Sequence, residues 1–311
     1  MEGTIYGEGL DRNPANYQPL TPLKHLQRAA AVFPDHVAII HGSLQRTYAD
    51  FYARSRRLAS ALQKAGVSRG DTVAAMLSNT PPMLEAHHAV PMTKAVLHSL
   101  NTRLDAAIIA FQLDHAESRV VIVDREFSGV MKEALALASV KPLVIDYDDP
   151  DYADDAPYPK GERIGSADYE EFLASGDAGF AWSMPDDEWD AISLNYTSGT
   201  TGLPKGVPLT HRNLLFQVQT LRRFDLDAAT GRVLLALPLH HVYPFSIGLL
   251  GVLAYRGAIV VPHALTGPEI VRAIRDCDVS TIIGVPRLFE VFVSGIRLRA
   301  QSRGRVQASL F

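Results

Sequence analysis

The chain has 311 residues, of which 47% are hydrophobic and 21% charged, with a formal net charge of −4. That length can bury a large core as one domain or two, and the acidic balance excludes the basic footprint of a nucleic-acid-binding domain. The lone cysteine, Cys277, cannot close an internal disulfide, and no apolar stretch approaches the roughly 18 residues of a membrane span. The start Met1-Glu2-Gly3 has no signal-peptide core, so a cytoplasmic protein without an integral membrane span is expected.

Residues 1–20 lack periodicity and are expected to form an N-terminal arm. Apolar residues at helical spacing from Phe51 to Leu62 predict a helix closed near Gly66. A buried strand follows at Thr72–Leu77, and Asn79-Thr80-Pro81 opens a second helix through Glu85 and Ala89. Helices at Ala106–His115 and Glu126–Ala138 alternate with strands at Arg119–Val123 and Pro142–Ile145. This alternation predicts an α/β fold with mainly parallel sheets flanked by helices. The acidic run Asp146, Asp148, Asp149, Asp151, Asp154 and Asp155 lacks calcium-loop spacing. It is read as a solvated surface connection that divides the chain into subdomains of about 21–190 and 191–311. Beyond it the pattern predicts a helix at Arg212–Phe224, strands at Val233–Leu237, Ala258–Val261 and Thr281–Pro286, and helices at Ile247–Ala254, Ile270–Cys277 and Phe289–Arg299. Gly248 and Gly251 weaken the first of these later helices, and Thr266 with Glu269 has the form of a capping box before the second.

After the apolar Ala191–Leu194 comes the run Tyr196-Thr197-Ser198-Gly199-Thr200-Thr201-Gly202-Leu203-Pro204-Lys205-Gly206. Small hydroxyl residues and glycines leave backbone N–H groups open to a ligand, and one lysine supplies positive charge, so the run reads as a nucleotide phosphate loop. It is not the Gly-x-x-x-x-Gly-Lys-Ser/Thr pattern, because the second glycine would fall on Pro204 and Gly206 follows the lysine. A plain flexible linker has little use for Tyr, Pro and Lys between two apolar segments. His240 and His241 are adjacent; on a strand they would face opposite ways and could not share a metal simply, so no metal site is expected. His87 and His88 read as a structural pair inside a helix.

Tyr196 to Gly206 resembles the signature loop of the adenylate-forming (AMP-binding) superfamily, and of fatty-acyl-CoA synthetases within it. Arg46-Thr47-Tyr48, Asn101-Thr102-Arg103-Leu104, Val120–Asp124 and Leu237-Pro238-Leu239-His240-His241 resemble further segments of such enzymes. The resemblance implies ATP-dependent activation of a carboxylic, fatty acid to an acyl-adenylate and then to an acyl-CoA thioester, with ATP, Mg2+ and CoA as cofactors. It implies phosphate contacts from Thr197, Ser198, Gly199, Thr200, Thr201, Gly202 and Lys205, with Lys205, Thr200 and His241 as the catalytic set. His241, Phe245, Val285 and Pro286 are implied at the acyl pocket, Phe245 with a core role equally open. The family's Tyr-Gly-x-Thr-Glu and Thr-Gly-Asp segments do not follow. The expectation is therefore an incomplete N-terminal domain over 21–311 without the small C-terminal domain. Two alternatives stay open: a catalytically incompetent fragment that at most binds nucleotide or acyl group, and a ligase that loads a carrier protein.

Overall fold

The computed structural model describes residues 4–5, 7–9, 11–150, 161–197, 202–221 and 231–302. In chain order the elements are α1 (Leu23–Val32), β1 (Val37–His41), β2 (Leu44–Thr47), α2 (Tyr48–Lys64), β3 (Thr72–Met76), α3 (Pro81–Met92), β4 (Val96–Ser99) and α4 (Ala106–His115). Then come β5 (Ser118–Asp124), a short 3-10 turn, α5 (Ser128–Leu137), β6 (Leu143–Tyr147), β7 (Ala167–Asp168), α6 (Tyr169–Ala174), β8 (Ala191–Thr197) and β9 (Lys205–Thr210). The rest is α7 (His211–Leu221), β10 (Arg232–Leu235), a π-helix (Pro244–Gly251) running into α8 (Val252–Ala254), β11 (Ala258–Val261), α9 (Gly267–Asp276), β12 (Thr281–Ile283) and α10 (Pro286–Ser302).

These form two mainly parallel sheets, one of seven strands in the order β7-β6-β5-β3-β4-β8-β9 and one of five in the order β12-β10-β11-β1-β2. Only the pairs β8–β9 and β1–β2 are antiparallel. The strand period of two divides each sheet between two layers. Val73 and Ala75 of β3 face a central core shared with Ile39, Val233 and Ile259 of the other sheet. Ala74 and Met76 face α4 and α5 on the outer side, while Leu234 and Val260 face α9 and α10. The layers therefore run helices, sheet, helices, sheet, helices, with α1, α2 and α3 in the middle.

Several expectations need correction. The sheets do not divide at 190/191: β8 and β9 complete the sheet begun by β3, and β1 and β2 complete the one built from β10–β12. The acidic run is not simply a solvated connection. Asp146 is buried and accepts the Gly165 N–H at 2.7 Å, Asp149 pairs with His41 at 2.9 Å, and Asp148 pairs with Arg125 at 2.6 Å. The first of these carboxylates continues a buried strand, so backbone and cationic partners are within reach. Asp151, Asp154 and Asp155 lie outside the described residues. Thr266 precedes α9 but makes no side-chain capping bond, and Glu269 pairs with Arg272 instead; the capping box forms at α2, between Thr47 and Asp50. The glycines at 248 and 251 do not break their helix. A Cβ at Gly248 would sit 2.7 Å from Leu235 Cδ1, so glycine lets the π-helix pack directly on β10.

Every residue of α3 is buried, so its polar side chains must be satisfied internally. The Glu85 carboxylate accepts from Arg54 Nε of α2 at 2.5 Å and from the Tyr169 hydroxyl of α6 at 2.6 Å. Arg54 reaches on to Glu170 with a second fork of 2.6 and 2.9 Å. Burial raises the Glu85 pKa against the opposing pull of Arg54. As expected, His87 and His88 are structural: their Nδ1–H groups donate to Met83 and Leu84 carbonyls at 2.8 and 3.0 Å.

Removing one partner of a buried ion pair strands the other charge. Arg54→Met should cost about 3–5 kcal/mol in urea unfolding, and the double change with Glu85→Leu should recover most of it. Burial also lowers the pKa of His87 and His98 to about 4 and of His88 to about 3, from 6.5. A histidine with a depressed folded-state pKa takes its proton more readily when unfolded, so acid favours unfolding. That stability is intact above 6.5 and fades as pH falls toward 4. Buried Asp124, pushed up to about 7, works the other way over the same window. The scans should therefore be made on Asp124→Asn, where the histidines alone should lower Tm by roughly 5 °C or more between about pH 7 and pH 5.

Candidate active site

The carboxyl ends of β3, β4 and β8 in the larger sheet and of β10 in the smaller one meet at one edge of the molecule. In open α/β sheets this is where ligands bind. The phosphate-loop run lies here, but it joins two strands of a hairpin: Thr197, the last residue of β8, is registered opposite Lys205, the first of β9. Strand β9 escapes sequence reading because Pro208 argues against an interior strand. It is tolerated because β9 is the sheet's edge.

Thr197 and Lys205 are both exposed, and Gly202 between them has φ +104°, a conformation open to glycine. Ser198, Gly199, Thr200 and Thr201 lie outside the described residues. At the root of the loop the Tyr196 hydroxyl meets His115 Nδ1 at 2.7 Å, and its ring lies 4.9 Å from that of His98. Burial pushes the Tyr196 phenol up to about 12. Beneath it, His98 Nε2 bonds Gln112 Oε1 at 3.2 Å, which places the proton on Nε2. The second nitrogen, Nδ1, is buried without a partner among the described residues.

Beside this root opens a largely apolar cleft of about 820 Å³, lined by the 236–244 segment, the start of α9 and one face of α10. His240 and His241 both line it. The opposite-facing arrangement of a strand does not occur. Strand β10 ends at Leu235, the chain turns with the His241 N–H on the Pro238 carbonyl at 3.1 Å, and the two rings lie 4.2 Å apart. Burial, then the neighbouring His241 and Arg103, lowers the His240 pKa to about 4, so it is neutral at pH 7. Among the described residues no group of three His, Cys, Asp or Glu side chains gathers to hold a metal.

Val285 lines the cleft and Pro286, next to it, opens α10. Phe245 does not line it: the ring is buried in the central core, 4.4 Å from His87. Its place two residues into the π-helix turns it inward.

Sequence reasoning missed three contributors. Asn101 and Arg103, just beyond the end of β4, line the cleft, and Arg103 adds a positive charge suited to an anionic group. Asn195 donates from Nδ2 to the His240 carbonyl at 2.8 Å, tying the strand under the loop to the histidine turn. Asn101 and Arg103 stood in a recognisable segment, whereas nothing local marks Asn195.

Comparison with known proteins identifies the family. The family model described as AMP-binding enzyme matches residues 26–310. A peroxisomal acetate/butyrate–CoA ligase of Arabidopsis thaliana is 37% identical over 299 residues, covering 92% of this chain and 51% of that protein. An acetate–CoA ligase of Humulus lupulus is 43% identical over 212 residues, covering 66% of this chain and 37% of the relative. The o-succinylbenzoate–CoA synthetase of Bacillus subtilis, solved with its acyl-adenylate intermediate, superimposes with a TM-score of 0.70 at 25% identity over 89% of this chain and 51% of that one. The chain thus spans about half the length of the curated relatives it matches. With that family model matching residues 26–310, the chain belongs to the AMP-binding enzyme family.

Proposed function

We propose that the chain takes part in ATP-dependent activation of a carboxylic acid, forming an acyl-adenylate that is passed to the thiol of CoA with release of AMP. The observation that carries this reading is the junction of the two features above. The exposed Thr197 and Lys205 stand opposite one another at the two ends of the run, and Asn195, two residues before Thr197 on the same strand, holds the edge of an apolar cleft. A nucleotide on the loop and an acyl chain in the cleft would bring the α-phosphorus and the carboxylate together, which is what adenylation requires.

Thr197, Lys205 and Gly202 stand where the triphosphate would lie, and Ser198, Gly199, Thr200 and Thr201 are proposed as its remaining contacts. The exposed Lys205 ammonium would offset charge accumulating on the departing pyrophosphate. His241, Arg103 and Val285 would receive the acid, with His240 neutral beside them and Arg103 drawing in the carboxylate. Phe245 is proposed to act from behind, as core packing under the cleft. Among the described residues no three His, Cys, Asp or Glu side chains gather round a metal; magnesium would arrive with the ATP phosphates, and no step here is routed through it.

The relatives are named for acetate, butyrate and benzoate, and a cleft of about 820 Å³ has room for a longer, fatty acyl chain. Membrane insertion plays no part in this reading, since no described helix is long and apolar enough to cross a bilayer.

The test is pyrophosphate release from ATP with acetate, butyrate, benzoate and octanoate in turn. Release should depend on the carboxylate and fall about 100-fold or more in Lys205→Ala and Thr200→Ala. His241→Ala should mainly raise KM for the acid. Well-folded protein that releases no pyrophosphate with any acid overturns the proposal.

A further inference from the structure

Past Leu235 the backbone of β10 leaves its sheet while still buried, and its polar groups need partners there. Leu235 is the last residue of β10 in register with β12, and Pro238 supplies no N–H. The partners come from the other sheet. Asn79, in the connection from β3 to α3, is buried and points across the interface. Its Nδ2 donates to the Leu237 carbonyl at 2.8 Å and the Leu235 carbonyl at 3.3 Å, and its Oδ1 accepts the Leu239 N–H at 3.0 Å. Asn195 continues the grip one residue further, donating to the His240 carbonyl at 2.8 Å while its Oδ1 accepts the Ser193 hydroxyl at 2.9 Å. Only a carboxamide offers donors and an acceptor at this spacing. An aspartate would turn a carboxylate toward carbonyl oxygens, and an alanine would leave buried backbone groups unpaired.

Asn79 stands just before Pro81, where it could cap α3, yet its side chain is used across the interface. Its own anchor is rigid, because the helix that follows is buried along its whole length. Asn195 is anchored by β8, which runs into the phosphate loop two residues later. The turn holding His240 and His241 is thus fixed from β3 and from the loop-bearing strand at once.

We propose that Asn79 and Asn195 are positioning residues for the carboxylate cleft, the first fixing the shape of the 235–239 segment and the second coupling the phosphate-loop strand to the histidine turn. This rests on the reading of the cleft given above. A clamp that is only structural would change stability alone. A positioning clamp sets the packing of the His240 ring, which His241 and Arg103 face.

The experiment is an NMR titration of the histidine side chains in the ligand-free chain, comparing the wild type with Asn79→Ala, Asn195→Ala and the control Asn213→Ala, whose amide caps α7 on the surface. The wild type and the control should show His240 titrating at about 4, and the two clamp variants should move it up toward 6.5. In the same samples, butyrate affinity in the presence of ATP should fall about 10-fold or more, with ATP binding alone unchanged in Asn79→Ala. Should a variant fail to fold, amide exchange in the unmodified chain decides. Leu239 N–H should exchange at least about 10-fold more slowly than an exposed turn amide, and exchange at the exposed rate overturns the clamp. Folded variants whose His240 does not move also overturn it. A wild-type chain that binds no carboxylate overturns the reading of the cleft, and the carboxylate part of this proposal with it.

Discussion

A helix with no face toward water must take the partners of its charged groups from neighbouring elements, and α3 sets that condition at the centre of the molecule. It lies between two sheets with all its residues buried, so the Glu85 carboxylate is acceptable only because α2 and α6 deliver Arg54 and Tyr169 to it. The same burial holds His87 and His88 neutral, each with one nitrogen on a backbone carbonyl. Around it, His87 packs against Phe245 of the π-helix that follows β10, and His88 against Phe51 of α2. The carboxyl ends of the two sheets are tied to each other through Asn79 and Asn195, and the site is built between them.

The site has two parts with different physics. The run between β8 and β9 is rich in hydroxyl residues and glycines, and Thr197 and Lys205 at its two ends are exposed, the composition proposed above for holding phosphate oxygens. The cleft beside it is apolar and partly closed, suited to an acyl chain, with Arg103 and two histidines on its polar side. Between them stands Asn195, bonded to the backbone of the cleft from the strand that becomes the loop. The site as a whole is not complete within one sheet: the loop belongs to the larger and the histidine turn to the smaller.

Much of this is legible in the residues. Ala106–His115 reads as a helix because apolar residues recur at helical spacing, and the structure gives α4 those bounds. Arg119–Val123 reads as a strand because it is an unbroken β-branched run, and it forms the middle of β5. Other elements misled for identifiable reasons. Pro208 hid β9, because an edge strand tolerates what an interior strand does not. Gly248 weakened the helix expected at Ile247–Ala254, yet the helix forms and this glycine is the contact that seats it on Leu235. Asp146 and Asp149 looked solvated because a charge run carries no mark of the partners folding brings to it.

The sequence by itself determined the chemistry on offer: a loop of hydroxyls, glycines and one lysine after an apolar strand, and a Pro-Leu-x-His segment further on. It determined the alternation of strand and helix, because local periodicity records which face of each element is buried. Tertiary structure alone decided which strands share a sheet, that β8 and β9 join β3 while β1 and β2 join β10–β12. It alone turned His240 and His241 into one cleft and gave Asn79 and Asn195 their partners, 156 and 45 positions away along the chain. Contacts at such separations leave no local pattern, since a buried asparagine reads like any turn residue until the backbone it binds arrives from the other sheet.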